Sequence, residues 1–154
     1  MTRVFSKFSG LLLAMALAAP AAAQEAQTTP EDPVVLGSID ANLNDFLWHK
    51  RPLVIFADSA EDPRFLQQMQ YIEARLDDLA ERDVVVLIDT DPTGGSDLRE
   101  ALRPRGFMLA LISKDGTVIL RKPSPWSVRE ISRTIDKQPL REQEIRDRRA
   151  AGQG

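Results

Sequence analysis

Two short unbroken apolar runs, Leu53 to Ala57 and Val84 to Ile88, are separated by a stretch with the rhythm of a helix. Runs of this kind fit strands covered on both faces. A strand, a crossover helix and a second strand of this length close into a right-handed parallel unit, which calls for an α/β fold. The helix start is marked twice. Asp62 can accept hydrogen bonds from free backbone amides, and Pro63 has the fixed φ that suits the first helical position. Phe65, Leu66, Met69, Ile72, Leu76 and Leu79 then form one apolar stripe, with Gln67, Gln70, Glu73 and Asp77 on the opposite face.

The flanking segments extend this unit. Ser38 is placed to cap a short helix carrying Ile39, Leu43, Phe46 and Leu47, which must end ahead of Pro52 because the residue before a proline resists helical angles. After "DTDPTGG", Ser96 caps another short helix, and a strand is expected over 107–112. Asp115-Gly116 is a hairpin signal, since both residues tolerate positive φ, and it returns the chain as a strand over 117–120. "PSPWS" interrupts the chain, and Ser127 with Glu130 forms a capping box for a helix bearing Val128, Ile131 and Ile135. The order α-β-α-β-α-β-β-α is the thioredoxin-like layout, a three-layer α/β sandwich whose mixed four-stranded sheet is flanked by helices.

The two ends read differently from the middle. Arg3 and Lys7 precede an apolar run over 8–19 and the small residues Ala21 to Ala23, the pattern of a cleaved signal peptide over 1–23, and the run is too short to span a bilayer comfortably. Residues 24–33 are polar with two prolines and read as a flexible leader, 34–140 as the thioredoxin-like domain, and 141–154 as a charged tail, a solvated helix that frays. The expected address is the periplasm or the medium, with no membrane span after cleavage. The segment over 1–23 holds two of the 20 Lys+Arg and none of the 23 Asp+Glu, so the mature chain carries about −5, which argues against nucleic acid as a partner. There is no cysteine. An exported chain without disulfides must be held by its core, and thiol-disulfide and thiol-peroxidase chemistry are excluded.

Four blocks, "WHKRPLVIFA" from Trp48, "ERDVVVL" from Glu81, "LISKDGTVILR" from Leu111, and the ending Ile135-Asp136, Pro139, Arg141 and Glu144, resemble in order and spacing the domain-of-unknown-function family 4174. That family is described as thioredoxin-like or peroxiredoxin-like and has extracellular members. The resemblance covers roughly 42–146 and implies a fold and an extracytoplasmic compartment, but no reaction.

Laid on the thioredoxin pattern, the two thiol positions fall on Glu61 and Arg64, and the place of the cis-proline falls near Met108. Glu61 at a helix start reads most simply as a negative charge that favours the helix end rather than as a catalytic base. Asp58, Glu61 and Asp62 follow the first core strand, and Asp89 and Asp91 follow the second, so five carboxylates are expected along one rim at the carboxyl ends of adjacent parallel strands. Such a rim offers oxygen ligands to Ca²⁺ or Mg²⁺, while local capping and turn roles account for the same residues without any ion. "VLIDTDPTGG" also looks like the nucleophile motif of haloacid-dehalogenase-type phosphatases, with Asp89 attacking and Asp91 handling the proton, yet the later acidic pair that such enzymes use on Mg²⁺ is missing. His49 is the only histidine, which removes His-rich zinc sites. Trp48, Trp126, Arg51 and Arg121 are candidate partner contacts. Asp136 and Arg141 are expected to pair and pin the last helix. The expectation is a non-catalytic binding module without a cofactor, engaging an envelope or extracellular protein through the acidic rim and adjacent loops. The alternative is a metal-assisted, phosphatase-like hydrolase using Asp58, Asp89 and Asp91.

Overall fold

The computed structural model describes residues 34–37 and 41–152, so the expected signal segment, the leader and the Ser38 cap lie outside the described residues. The central strands are β2 (Arg51–Phe56), β3 (Val84–Asp89), β4 (Met108–Ile112) and β5 (Val118–Lys122). All four expected strands are present, and a three-residue strand, β1 (Val35–Gly37), extends the sheet at the β3 edge to give the order β1-β3-β2-β4-β5. β1 and β2 run parallel to β3, whereas β4 is antiparallel to both β2 and β5. The mixed α/β sheet of a thioredoxin-like fold is thus in place.

The register explains the unbroken apolar runs. Leu53 pairs with Val86 on one side and Leu111 on the other, while Val54 pairs with Leu87 and Ala110, so successive rungs feed opposite faces. Every residue of β2 is buried. One face packs against Phe65 and Ile72 of α1 (Pro63–Glu73), Leu79 of α2 (Leu76–Ala80) and Ile131 and Ile135 of α4 (Val128–Asp136). The other packs against Leu98 and Leu102 of α3 (Asp97–Leu102) and against Leu43 and Phe46. Each fully buried Leu, Ile or Phe contributes about 1.5–3 kcal/mol, and these two cores replace the disulfides the chain lacks.

Several local features differ from the expectations. The segment before β2 is a 3-10 turn over Leu43–Phe46, capped by Asn42, whose side chain accepts from the Asn44 amide at 2.9 Å. The crossover helix is broken: Arg75 leaves helical angles at φ −146°, ψ 44°, and pairs locally with Asp78. Leu66 is half exposed, and the buried face of α1 carries Gln68 instead, which falls between Phe65 and Ile72 in helical phase. Its amide satisfies both backbone groups of Trp126, donating to the carbonyl at 3.0 Å and accepting from the N–H at 2.7 Å, which docks the "PSPWS" loop onto the helix. In the hairpin only Gly116 takes positive φ, +85°, and the Asp115 carboxylate accepts from the Thr117 amide at 3.0 Å. The capping box at Ser127 and Glu130 forms as read. The charged ending is a helix, α5 (Pro139–Ala151), whose Arg141 is buried while the residues from Arg146 onward are exposed.

Candidate functional site

The junction after β2 is where a thioredoxin-like fold can carry chemistry, and here it is closed by an ion pair. Asp62 caps α1 by accepting from the Arg64 amide at 2.8 Å and receives the Arg64 guanidinium through two contacts, at 3.1 and 2.8 Å. These bonds, the side-chain ones first, hold the Asp62 carboxyl below its ordinary value. The Arg64 guanidinium also lies 5.5 Å from the centre of the Phe107 ring. Glu61 is exposed, and only its backbone amide is engaged, with the Ser59 hydroxyl at 3.3 Å. The two positions matching the thiols therefore present a free carboxylate and a guanidinium committed to its neighbour.

Asp89, at the end of β3, is the hub of a buried polar cluster. Its Oδ1 accepts from Arg99 Nε at 2.9 Å and from the Asp91 amide at 3.1 Å, and its Oδ2 accepts from the Ser96 hydroxyl. Arg99 also donates to the carbonyls of Ala57 at 2.9 Å and Asp89 at 3.2 Å, and it lies over the Phe56 ring at 5.4 Å. This cluster ties the ends of β2 and β3 to the start of α3. Asp91 instead folds its own loop, accepting from the Thr93 hydroxyl at 2.7 Å and amide at 2.9 Å, bonds that hold its carboxyl below the ordinary value.

The five rim carboxylates are accordingly not brought together. Asp62, Asp89 and Asp91 are each engaged locally, Asp58 and Glu61 are exposed, and among the described residues no group of three or more His, Asp or Glu side chains is placed to hold a metal ion. The phosphatase-like alternative gains nothing from this geometry. Both oxygens of Asp89 are occupied, and attack on phosphorus would require breaking an ion pair that is only 5–13 % exposed.

The candidate contacts also separate. Arg51 is no surface residue: it is 1 % exposed, and its guanidinium donates to Glu144 at 2.8 Å and to the Arg82 carbonyl at 2.8 Å. Burial pushes the Glu144 carboxyl up, but hydrogen bonds and charge from Arg51 and Lys114 outweigh it and hold the group below its usual range. Around this pair, Lys114 meets Asp83 at 2.7 Å, Arg82 meets Asp136 at 2.9 Å, and Arg141 approaches Glu144 at 3.4 Å and Asp136 at 3.8 Å. The expected Asp136–Arg141 pair is thus present as one long contact within a network. Trp126 is half-buried beneath the Lys122 ammonium, 4.4 Å from its ring, and Arg121 is exposed and donates to the Leu102 carbonyl. Trp48 stands out. It is 66 % exposed and adopts φ +65°, with its amide held by the Lys114 carbonyl at 2.7 Å.

Sequence reasoning did not find the Arg99 and Glu144 partnerships. The one available signal was the spacing of Ser96 and Arg99 after Asp89, which sets a helix start directly behind a strand end.

Among solved structures, the chain is similar to reduced 2-Cys peroxiredoxin from Plasmodium vivax, at 18% identity and a TM-score of 0.52 over 68% of this chain and 85% of that one. It is also similar to chloroplastic thioredoxin z, at 20% identity and a TM-score of 0.50 over 70% of this chain and 99% of that one. At these identities the likeness establishes the fold alone, thioredoxin-like, in a chain with no cysteine. The model described as Domain of unknown function (DUF4174) matches residues 42–144, more than half of the chain, and the protein belongs to that family.

Proposed function

We propose that the protein is an exported, non-catalytic binding module of the cell envelope or medium, and that Trp48 is its anchor on a protein partner. The observation that carries this reading is the state of Trp48, a large apolar side chain two-thirds exposed on a backbone in the left-handed region. That conformation costs roughly 1–2 kcal/mol for a residue with a Cβ. A tryptophan kept there mostly in solvent gains little for the fold, whereas tryptophans are prominent among residues that dominate protein interfaces. The basic, apolar and small-residue pattern of residues 1–23 supports export, and the locally satisfied carboxylates around Asp89 support a role without catalysis.

Photo-crosslinking in the expressing cell tests this directly. A photoreactive residue at position 48 is expected to give one discrete adduct in the extracytoplasmic fraction, on a protein whose N-terminus is Gln24, and the same residue at exposed Glu73 is expected to give none. Equal labelling from both positions, or a cytoplasmic protein that retains Met1, would contradict the proposal. So would magnesium-dependent hydrolysis of an aryl phosphate by the purified domain.

A further inference from the structure

At the end of the sheet where β4 begins and β5 finishes lies a groove of about 320 Å³ whose lining joins Arg103, Arg105, Arg121 and Lys122 to the apolar side chains of Met108 and Pro123. No carboxylate lines it; Asp58 stands beside Gly106, outside the lining. Elsewhere half of the described arginines and lysines, Arg51, Arg64, Arg75, Arg82, Arg99, Lys114 and Arg141, each meet a carboxylate. The four cations of the groove form no ion pair with any described carboxylate. Two of them are instead positioned by neutral partners, Arg121 by the Leu102 carbonyl and Lys122 by the face of Trp126. A carbonyl and an aromatic face fix a cation's direction without cancelling its charge. Arg103 is the exposed left-handed residue just past the end of α3, and Arg105 is exposed as well.

We infer that this groove binds a small amphipathic anion, with a phosphate or carboxylate head on the guanidinium groups and an aromatic or aliphatic body on Met108 and Pro123. In a chain of net charge −3, four uncompensated cations converging on an apolar floor make a local positive potential that runs against the molecule as a whole. Guanidinium groups recognise the planar or tetrahedral oxygens of such heads through paired donors. The volume lies at the lower end of the range for ligand sites, about 300–1,000 Å³, which sets the class as a small molecule. This inference does not depend on Trp48, on export or on a protein partner.

The test is a nitrogen-15 amide-shift titration of the folded domain with three probes: phenyl phosphate, inorganic phosphate and phenol. Phenyl phosphate is expected to saturate with a Kd below about 1 mM and to shift the amides of Arg105, Phe107, Met108 and Lys122. Inorganic phosphate should bind at least roughly tenfold more weakly for want of the apolar body, and phenol should leave the groove unshifted. Charge reversal at exposed Arg105, Arg105→Glu, should weaken phenyl phosphate by roughly tenfold or more while the melting temperature stays unchanged. A Kd above about 10 mM, equal affinity for inorganic phosphate, shifts centred outside the groove, or an unaltered Kd in Arg105→Glu would each overturn the inference.

Discussion

Replacing Asp89 with alanine tests whether that carboxylate is part of the scaffold. The substitution removes an ion pair to Arg99, the acceptor for the Ser96 hydroxyl and the acceptor for the Asp91 amide. Hydrogen bonds to charged groups are worth about 1.5–3 kcal/mol each, and breaking a buried pair costs about 3–5 kcal/mol when the survivor is stranded. Arg99 is not fully stranded, since it keeps the carbonyls of Ala57 and Asp89 and is 13 % exposed. The expected loss is therefore about 2–4 kcal/mol. At roughly 3–6 °C per kcal/mol for a domain of this size, Asp89→Ala should lower the melting midpoint by about 6–24 °C. Asp89→Asn, which keeps an acceptor but not the charge, should lose about half as much. In a double-mutant cycle the effects of Asp89→Ala and Arg99→Ala should fall short of additivity by more than about 1 kcal/mol. A melt of Asp89→Ala within about 2 °C of the parent, or strict additivity with Arg99→Ala, would refute the scaffold assignment and return Asp89 to the list of ligand candidates.

Three further outcomes are expected. Gln68→Leu preserves shape but strands both backbone groups of Trp126, so urea unfolding should show a loss of about 2–4 kcal/mol, and a neutral result would mean that water replaces the amide. The Glu144 carboxyl is held below its usual range in the folded chain, so its stabilisation is complete above the ordinary glutamate value of 4.5 and is lost as pH falls through the lower folded value. The stability gap between the parent and Glu144→Gln should accordingly be widest above about pH 5 and close in acid; a gap that is flat with pH would contradict the ion pairing. Trp48→Gly relieves a left-handed backbone and removes little buried area, so thermal melting should show unchanged or increased stability, by up to about 1 kcal/mol, while the crosslinked partner is lost. A clear destabilisation would make Trp48 a structural residue.

What was legible in the chain depended on range. The β2 and β3 runs, the Asp62-Pro63 start, the Ser127–Glu130 box and the Asp-Gly turn are local signals, each read from a handful of neighbouring residues, and the corresponding elements formed. The break at Arg75 has no glycine or proline to announce it. Gln68 was passed over because a polar residue on a stripe looks like a gap, and its partner is a backbone 58 residues away. The rim failed to assemble for a related reason. Strand topology correctly put Asp58 and Asp89 near adjacent strand ends, but each carboxylate's partners were set by the loop or helix that followed, and Arg99 claimed the one that is buried. Arg51 sits beside Pro52 in a stretch that reads as an exposed exit, and nothing nearby shows that Glu144 returns to cover it.

That last pairing has a consequence for the order of assembly. Arg51 opens β2 and Glu144 lies in the final helix, 93 residues later. A chain made from its amino end possesses all five described strands before it possesses the counter-charge for that guanidinium, and a buried unpaired cation opposes closure of the sheet around it. The carboxyl-terminal helix therefore brings the last charge that the buried end of β2 needs, and closure there is least favourable before it arrives. A chain cut short before Glu144 keeps both apolar cores but leaves the Arg51 guanidinium and the Lys114 ammonium short of the carboxylate they share.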